Sequence, residues 1–290
     1  MKKKVALCLA SGGARGMAHI GAIEELLERG YEISSLSGCS IGSLIGGIYA
    51  AGKIKEARDW FCALDKKDVL QLTDFSFGLS HMVKGVRVMD AIKEWVPDTQ
   101  IENLPIPCAF VATDLNNSRE VVFTHGPLFE AIRASISIPL CFEPVKYQGS
   151  LLVDGGLCNP FPLNRVARQE GDILVGVNIS GTSVMNTSTE VELHLPSKLQ
   201  QFEWARKAEE VVTETIENTL SMNVGAVSMV NRMIDLQIQA SCRLLTEMCQ
   251  PDVYVEMAQD AYTTFDFDKA EQIINAGRDM MAKALDEYEK

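Results

Sequence analysis

One serine in this chain has neighbours that could make it a nucleophile. Ser40 stands in Gly38-Cys39-Ser40-Ile41-Gly42, a G-x-S-x-G pattern with an apolar approach and a small-residue helix pattern after it. That is the sequence form of a strand-to-helix elbow, in which a sharp turn lifts the serine hydroxyl to a helix N-terminus. Gly38 and Gly42 let the turn close and the helix lie near the strand. Acyl transfer by such a serine needs a base and donors for an oxyanion. Asp154 is the leading base. It ends the apolar Leu151-Leu152-Val153 and precedes Gly155 and Gly156, which let other backbone come close. Burial raises a carboxylate pKa and suits it to take a hydroxyl proton. The plain alternative is an Asp-Gly turn. Gly12, Gly13, Ala14 and Arg15 follow the first apolar run and could present amides to an oxyanion; an ordinary glycine turn is the other reading. The Arg15 side chain could cap charge near the site or form a structural salt bridge.

A histidine base fits the chain order poorly. His81 and His125 lie in poorly patterned loops, and of the four histidines (His19, His81, His125, His194) only His194 has the right chain order for a Ser-Asp-His triad. It lies in a polar loop without a strand leading to it. His19 falls inside the helix after the glycine loop.

The elements that must position these residues alternate. Val5–Ala10 reads as a strand buried on both faces. A glycine loop follows, then apolar residues at helical spacing from Met17 to Leu27, closed by Gly30. Ile33–Ser37 is a second strand, and 41–51 a helix ended by Gly52. This order predicts a parallel α/β sheet. Further helices are expected over 57–64, 89–96, 128–135, 162–168 and 269–288. Strands are expected over 107–115, 120–123, 145–147, 151–153, 173–178 and 252–256. Segment 180–196 reads as a long loop. Residues 199–245 read as one or two helices with a break near Asn223-Val224-Gly225. The Met-rich stripe there (Val227, Met229, Val230, Met233, Ile234, Ile238 and Leu244) reads as core or a dimer seam, with a lipid-facing surface as the lesser alternative. Thr73–Val86 is glycine-punctuated and carries Phe75, Phe77, Leu79 and Met82; it reads equally as an entrance lid or a surface connection.

Composition narrows the partners. The 290 residues are 47% hydrophobic and 23% charged, a globular makeup with a sizeable core. A net charge of −12 excludes a nucleic-acid binder and strong electrostatic docking on anionic membranes. Eight cysteines occur without a C-x-x-C pair, so no zinc site is signalled and no metal is expected. Free thiols fit a reducing compartment. The apolar run after Lys2-Lys3-Lys4 is shorter than a signal-peptide core, and no stretch reaches a membrane-spanning length. A cytoplasmic protein is expected.

Taken together these segments resemble the bacterial patatin-like phospholipases. Ser11-Gly12-Gly13-Ala14-Arg15-Gly16 and Ala18-His19-Ile20-Gly21 resemble the family's glycine-rich oxyanion loop, and Gly38–Gly42 its elbow. Ala112–Leu115, Ala134–Pro139 and Phe142–Val145 resemble its middle blocks. Asp154-Gly155-Gly156 with Asn159-Pro160 resembles its dyad-aspartate motif. Pro251–Val253 and the stretch from Phe265 to Gly277 resemble the tail of small bacterial members. Ser11 departs from the glycine found in many relatives.

The resemblance implies a three-layer α/β/α fold with a mainly parallel central sheet and a C-terminal helical segment. It implies one domain over 1–290, with a catalytic core over 4–180 and a helical extension over 197–290. It implies lipid acyl-ester hydrolysis (phospholipase A, lipase or esterase) without a cofactor. Ser40 is the nucleophile, Asp154 the proton acceptor, and Gly12–Arg15 the oxyanion hole. Asp114 and the Ser135 and Ser137 hydroxyls are expected to be structural. A non-catalytic regulatory protein of the same fold, and an acyltransferase using the same acyl-enzyme, are the alternatives. Transient membrane contact through Phe75–Val83 and a homo-oligomer are compatible with the sequence.

Overall fold

The computed structural model describes residues 3–65, 67–69, 86–139, 141–182, 226–263 and 266–290. The chain divides into a compact unit, Met1–Thr182 with Ile238–Lys290, and a second unit, Ser183–Gln237. Within the first unit β1 (Lys4–Leu9), β2 (Glu32–Cys39), β3 (Cys108–Asp114) and β7 (Ile173–Gly181) form the middle of one sheet. β8 (Val253–Ala258) extends it beyond β7. All these pairs are parallel. The four middle strands are buried almost throughout, which is why they read as continuous apolar runs, whereas the edge strand β8 alternates.

Antiparallel strands complete the sheet at β3. β4 (Arg119–Phe123) pairs along one edge, from Phe110↔Phe123 to Asp114↔Arg119. A strand has two hydrogen-bonding edges, so β2 and β6 (Ser150–Asp154) must share the other. β2 occupies its first part, ending at Cys39↔Val111. β6 occupies the next part, running the opposite way from Asp114↔Leu152 and ending at Ala112↔Asp154. β5 (Val145–Tyr147) pairs with β6 through a hairpin at Gln148-Gly149. The C-terminal ends of β2 and β6 therefore meet on adjacent residues of β3.

Helices α1 (Met17–Glu28), α2 (Ile41–Ala50), α3 (Ile54–Ala63), α5 (Leu128–Ser135) and α7 (Ala270–Tyr288) pack against one another over one face of the sheet. A further helix, α4 (Val86–Lys93), contributes buried Met89 and Ile92 to the core. The opposite face is covered by the C-terminal part of α6 (Ala226–Cys249), where Cys242 is buried, and by Pro160–Arg165. There Phe161 lies so close to Gly176 of β7 that a Cβ on the glycine would stand 2.7 Å from its ring. The result is the three-layer α/β/α arrangement with a C-terminal helix that the family resemblance implies.

Several expected elements differ in extent. The helix expected over 162–168 is a single 3-10 turn, Leu163–Arg165. Two carbonyls beside that turn are engaged by the sheet layer. Pro160 O accepts the Ser11 amide at 2.9 Å and Pro162 O the Ser37 hydroxyl at 2.8 Å. Proline also removes amide donors there. The expected 89–96 helix lies three residues earlier; Val96, although past its end, is buried. Leu244 and Met248 of α6 are largely exposed, as are Val230, Met233 and Leu236 in the part belonging to the second unit. At Val230, Met233 and Leu244 the stripe is therefore not core within this chain, and the dimer-seam half of that expectation is the one compatible with their exposure. Thr73–Gly85, most of the loop expected over 180–196, and the break near Asn223 lie outside the described residues.

Two glycines set the approach of α1 and α7. A Cβ on Gly21 would collide with the Ile274 carbonyl oxygen, and one on Gly277 with that of Ala18. Backbone meets backbone at both points, so no side chain can yield. Gly277→Val should lower unfolding stability by about 3 kcal/mol, overpacking outweighing any gain in helix propensity. Urea denaturation of the variant measures it; stability equal to that of the wild type would contradict this packing.

Candidate active site

Ser40 sits between the last residue of β2 and the first of α2. Its backbone has φ 55° and ψ −122°, a region that costs a non-glycine residue about 1–3 kcal/mol. The strain is held by close packing around it. A Cβ on Gly38 would come within 2.6 Å of the Gly42 carbonyl group, and one on Gly42 would strike the Leu9 carbonyl oxygen. The elbow is held in place by hydrogen bonds as well. The Ser40 amide donates to Ser135 Oγ at 2.8 Å, and that hydroxyl donates to Val111 O at 2.6 Å. With its one proton spent, Ser135 Oγ can only accept from Ser43 Oγ, which lies 2.8 Å away.

Asp154 arrives from the opposite direction at the end of β6. Its amide donates to Ser137 O at 2.8 Å. One carboxylate oxygen, Oδ1, accepts the Gly156 amide at 2.7 Å, and the other, Oδ2, accepts the Ser40 hydroxyl at 2.5 Å. Both residues are buried, Ser40 at 4% and Asp154 at 6% exposure, so this contact forms away from bulk water. Burial pushes the Asp154 carboxyl up to about 6, while the bonds from Ser40 and Gly156 hold it down in part. Gly155 has no room for a side chain, since a Cβ would meet Val111 O and lie 2.9 Å from Cys39 Sγ. Burial also raises the neighbouring Cys39 thiol well above its ordinary value, which leaves it protonated.

The glycine loop follows β1 directly. Gly13 has φ 60° and opens a 3-10 turn through Gly16, whose first amides have no partner within the turn. A Cβ on Gly12 would stand 2.7 Å from Ile179 Cγ1, so only glycine fits. Arg15 is 4% exposed and turns into the protein. Its Nε donates to Ile179 O at 2.8 Å, and its Nη1 to Gln259 O at 3.0 Å and Tyr262 O at 2.8 Å. These three carbonyls engage the guanidinium in bracing the loop.

The other candidates fall away from the site. The His19 ring is fully buried and its Nε2 lies 2.9 Å from Ala10 O. A carbonyl only accepts, so Nε2 carries the proton. Burial lowers this imidazole to about 4 and keeps it neutral. His125 is exposed beside Thr124, and His81 and His194 lie outside the described residues. Asp114 accepts the amides of Asn116 and Asn117 in its own turn. Among the described residues no group of acidic, His or Cys side chains could hold a metal ion.

A cavity of about 100 Å³ opens beside Ser40 and Gly13. Its walls include Ile41, Leu44, Phe61, Ile136, Ile138 and Phe142. Apart from the Ser40 hydroxyl, the side chains that line it are apolar. Such a wall receives a hydrocarbon chain and fixes no polar group. Sequence reasoning did not connect Ser135 and Ser137 with the site. The i, i+2 spacing of these two serines just before Pro139 was the available signal: one contacts the Ser40 backbone, the other that of Asp154.

An elbow serine in contact with a strand-end aspartate, on a three-layer α/β/α scaffold, defines the class of the protein. The model of the patatin-like phospholipase family matches residues 7–167. An uncharacterized NTE family protein of Mycobacterium tuberculosis is 31% identical, over 99% of this chain and 92% of that protein. Human patatin-like phospholipase domain-containing protein 6 is 30% identical over 94% of this chain, which spans only 20% of that protein. The crystal structure of VipD from Legionella pneumophila shares the fold, with a TM-score of 0.51 at 14% identity over 99% of this chain and 67% of that one. The chain belongs to the patatin-like phospholipase family, and membership implies lipid acyl hydrolase activity. Among the described residues no helix is long and apolar enough to cross a membrane.

The buried aspartate has a thermodynamic signature. Its folded pKa lies near 6, above the ordinary value of 3.8. Between these values the native state holds a proton the unfolded state has lost, so stability falls as pH rises through that window and levels off above it. Asp154→Asn removes the penalty. It should gain about 1–3 kcal/mol over the wild type at pH 8 and less near pH 4.5. Denaturation midpoints at the two pH values test this; an equal difference at both would contradict it.

Proposed function

We propose that the protein is a serine acyl hydrolase that cleaves fatty-acyl esters of lipids through Ser40 and Asp154. The observation that carries the reading is the buried 2.5 Å contact between Ser40 Oγ and Asp154 Oδ2. An ionised Asp154 takes the hydroxyl proton as Ser40 Oγ attacks the ester carbonyl. Amides from the Gly12–Arg15 turn and the N-terminus of α2 stabilise the charge that develops on the carbonyl oxygen. The alcohol leaves with the proton from Asp154, and the acyl group stays on Ser40. Water then enters the ester, Asp154 accepts its proton, and the fatty acid departs as the proton returns to Ser40. The apolar cavity beside Ser40 supports a hydrocarbon acyl group as the part of the substrate held during both steps.

The pKa of Asp154 gives the reaction an acidic limit. Only the ionised carboxylate is a base, so kcat/KM should fall about tenfold per pH unit below about pH 6 and level off above it. A pH profile with a p-nitrophenyl ester reads this, and a rate still flat at pH 4.5 would argue against an aspartate base. Ser40→Ala should abolish both ester hydrolysis and fluorophosphonate labelling. Asp154→Asn should lower kcat by about 100- to 10,000-fold. Assays on p-nitrophenyl butyrate and on phospholipid vesicles test both variants; turnover that survives both substitutions would sink the proposal.

A further inference from the structure

Exposed apolar side chains gather on one face of α6. Of the nine large hydrophobic residues exposed among the described residues, five stand on this helix: Val230, Met233, Leu236, Leu244 and Met248. Apolar residues scattered singly over a surface are ordinary, whereas a row of them marks an interface. Met233, Leu244 and Met248 are 63%, 59% and 76% exposed. At about 100° per residue all five fall within about 80° of Ala240, on a seam about 27 Å long. Ala240 itself is exposed. Ile238 points the other way, about 160° from Ala240, and packs on the core. Its Cδ1 lies 3.4 Å from where a Cβ on Gly156 would stand, so the inner side of α6 covers the Asp154–Gly156 turn.

The outer face is complementary to itself when turned end for end. In an antiparallel pair with its two-fold axis at Ala240, a residue some places before Ala240 is level with the one as many places after it. Leu236 is then level with the second copy's Leu244. Met233 lies on one side of the seam, beside the second copy's Leu244 and Met248. Arg232 lies on the other side, and the second copy's Glu247 is there with it, about 1.5 Å from its level. The two-fold repeats each contact, so two ion pairs flank an apolar seam, and the small Ala240 lets the helices approach at its middle. A parallel pair would instead bring Arg232 level with Arg232, Arg243 with Arg243 and Glu247 with Glu247, like charges that repel. A lipid surface fits the face poorly. Glu247 stands only about 20° from its centre line, where acyl chains would bury the carboxylate without a partner. The net charge of −12 adds repulsion from anionic lipid.

We infer that a second copy of this chain docks antiparallel on the Val230–Met248 face of α6, with Arg232 of each copy paired to Glu247 of the other. The interface is isologous and uses neither Ser40 nor Asp154, so it stands apart from the acyl-hydrolase reading. It holds from outside the helix whose inner side covers the Asp154–Gly156 turn.

Sedimentation velocity of the full chain at micromolar concentrations tests the pairing. The wild type should sediment at twice 31.9 kDa. Leu244→Arg, a change at an exposed position, should sediment as a monomer with the circular dichroism of the wild type. Arg232→Glu and Glu247→Arg should each raise the dimer Kd by about tenfold, and the variant carrying both should recover the wild-type Kd. That recovery is specific to the antiparallel register, since a parallel pair would face like charges in all four proteins. It also keeps the test decisive if Leu244→Arg does not fold. A monomeric wild type overturns the inference: cosedimentation with neutral phosphatidylcholine vesicles would then assign the face to lipid, and its absence would leave the face to residues 183–225 of the same chain. A dimer whose Kd none of these substitutions changes overturns it too, because the copies then meet elsewhere. None of these outcomes bears on Ser40 and Asp154, whose reading stands or falls by the ester assays.

Discussion

The structure depends on two strands ending against each other on one edge of a third. β3 offers Val111 to the end of β2 and Ala112 to the end of β6. Because β2 and β6 run in opposite directions, their last residues meet there. The chain leaves β2 through the elbow at Ser40 and leaves β6 through Asp154, so the register of β3 brings a hydroxyl and a carboxylate together from positions 114 residues apart. The end of α5 and the residues just past it secure the junction, with the Ser135 hydroxyl on the Ser40 amide and the Ser137 carbonyl on the Asp154 amide. Sliding either strand by one residue would reverse the faces of its side chains and separate the pair.

The junction holds two unfavourable features. Ser40 has a backbone conformation that side chains rarely adopt, and Asp154 is buried with its pKa raised. Each costs a few kcal/mol at most (about 1–3 for strain of this kind), against a domain stability of about 5–15 kcal/mol. The surrounding core can hold that cost because β1, β2, β3 and β7 are buried on both faces and the helices pack without space for a methyl group at Gly42, Gly21 or Gly277. Rigid packing is what keeps the strained serine from relaxing. A looser core would lose the geometry before it lost the fold.

The fold was legible in the sequence because buried parallel strands leave apolar runs, and because glycines punctuate them. Val5–Ala10, Ile33–Ser37 and Pro107–Leu115 stood out for this reason, as did the helix at 128–135. The 162–168 segment was misread because its periodic apolar residues serve the sheet layer, while its backbone is drawn into bonds with Ser11 and Ser37 that no local pattern encodes. At the site, Ser40, Asp154 and the glycine loop were legible as motifs. Their meeting was not: it depends on which edge of β3 each strand takes. The inward turn of Arg15 and the support from Ser135 and Ser137 were hidden likewise, since all depend on carbonyls and amides distant in sequence.

In the proposed reaction, the same junction would let a carboxylate stand where many serine hydrolases place an imidazole. A histidine base needs an acidic partner to fix its tautomer, hence three groups from three segments. Here the two strand ends already bring the carboxylate to 2.5 Å from the hydroxyl, so no relay is required to cover distance. What a carboxylate lacks is basicity, and burial supplies it by moving Asp154 from 3.8 to about 6. Proximity and desolvation come from one cause, the closure of two strand ends over β3 beneath α5. An exposed aspartate at the same distance would keep an ordinary pKa and be a weaker base. A buried one at the end of an open strand would have the basicity without the contact.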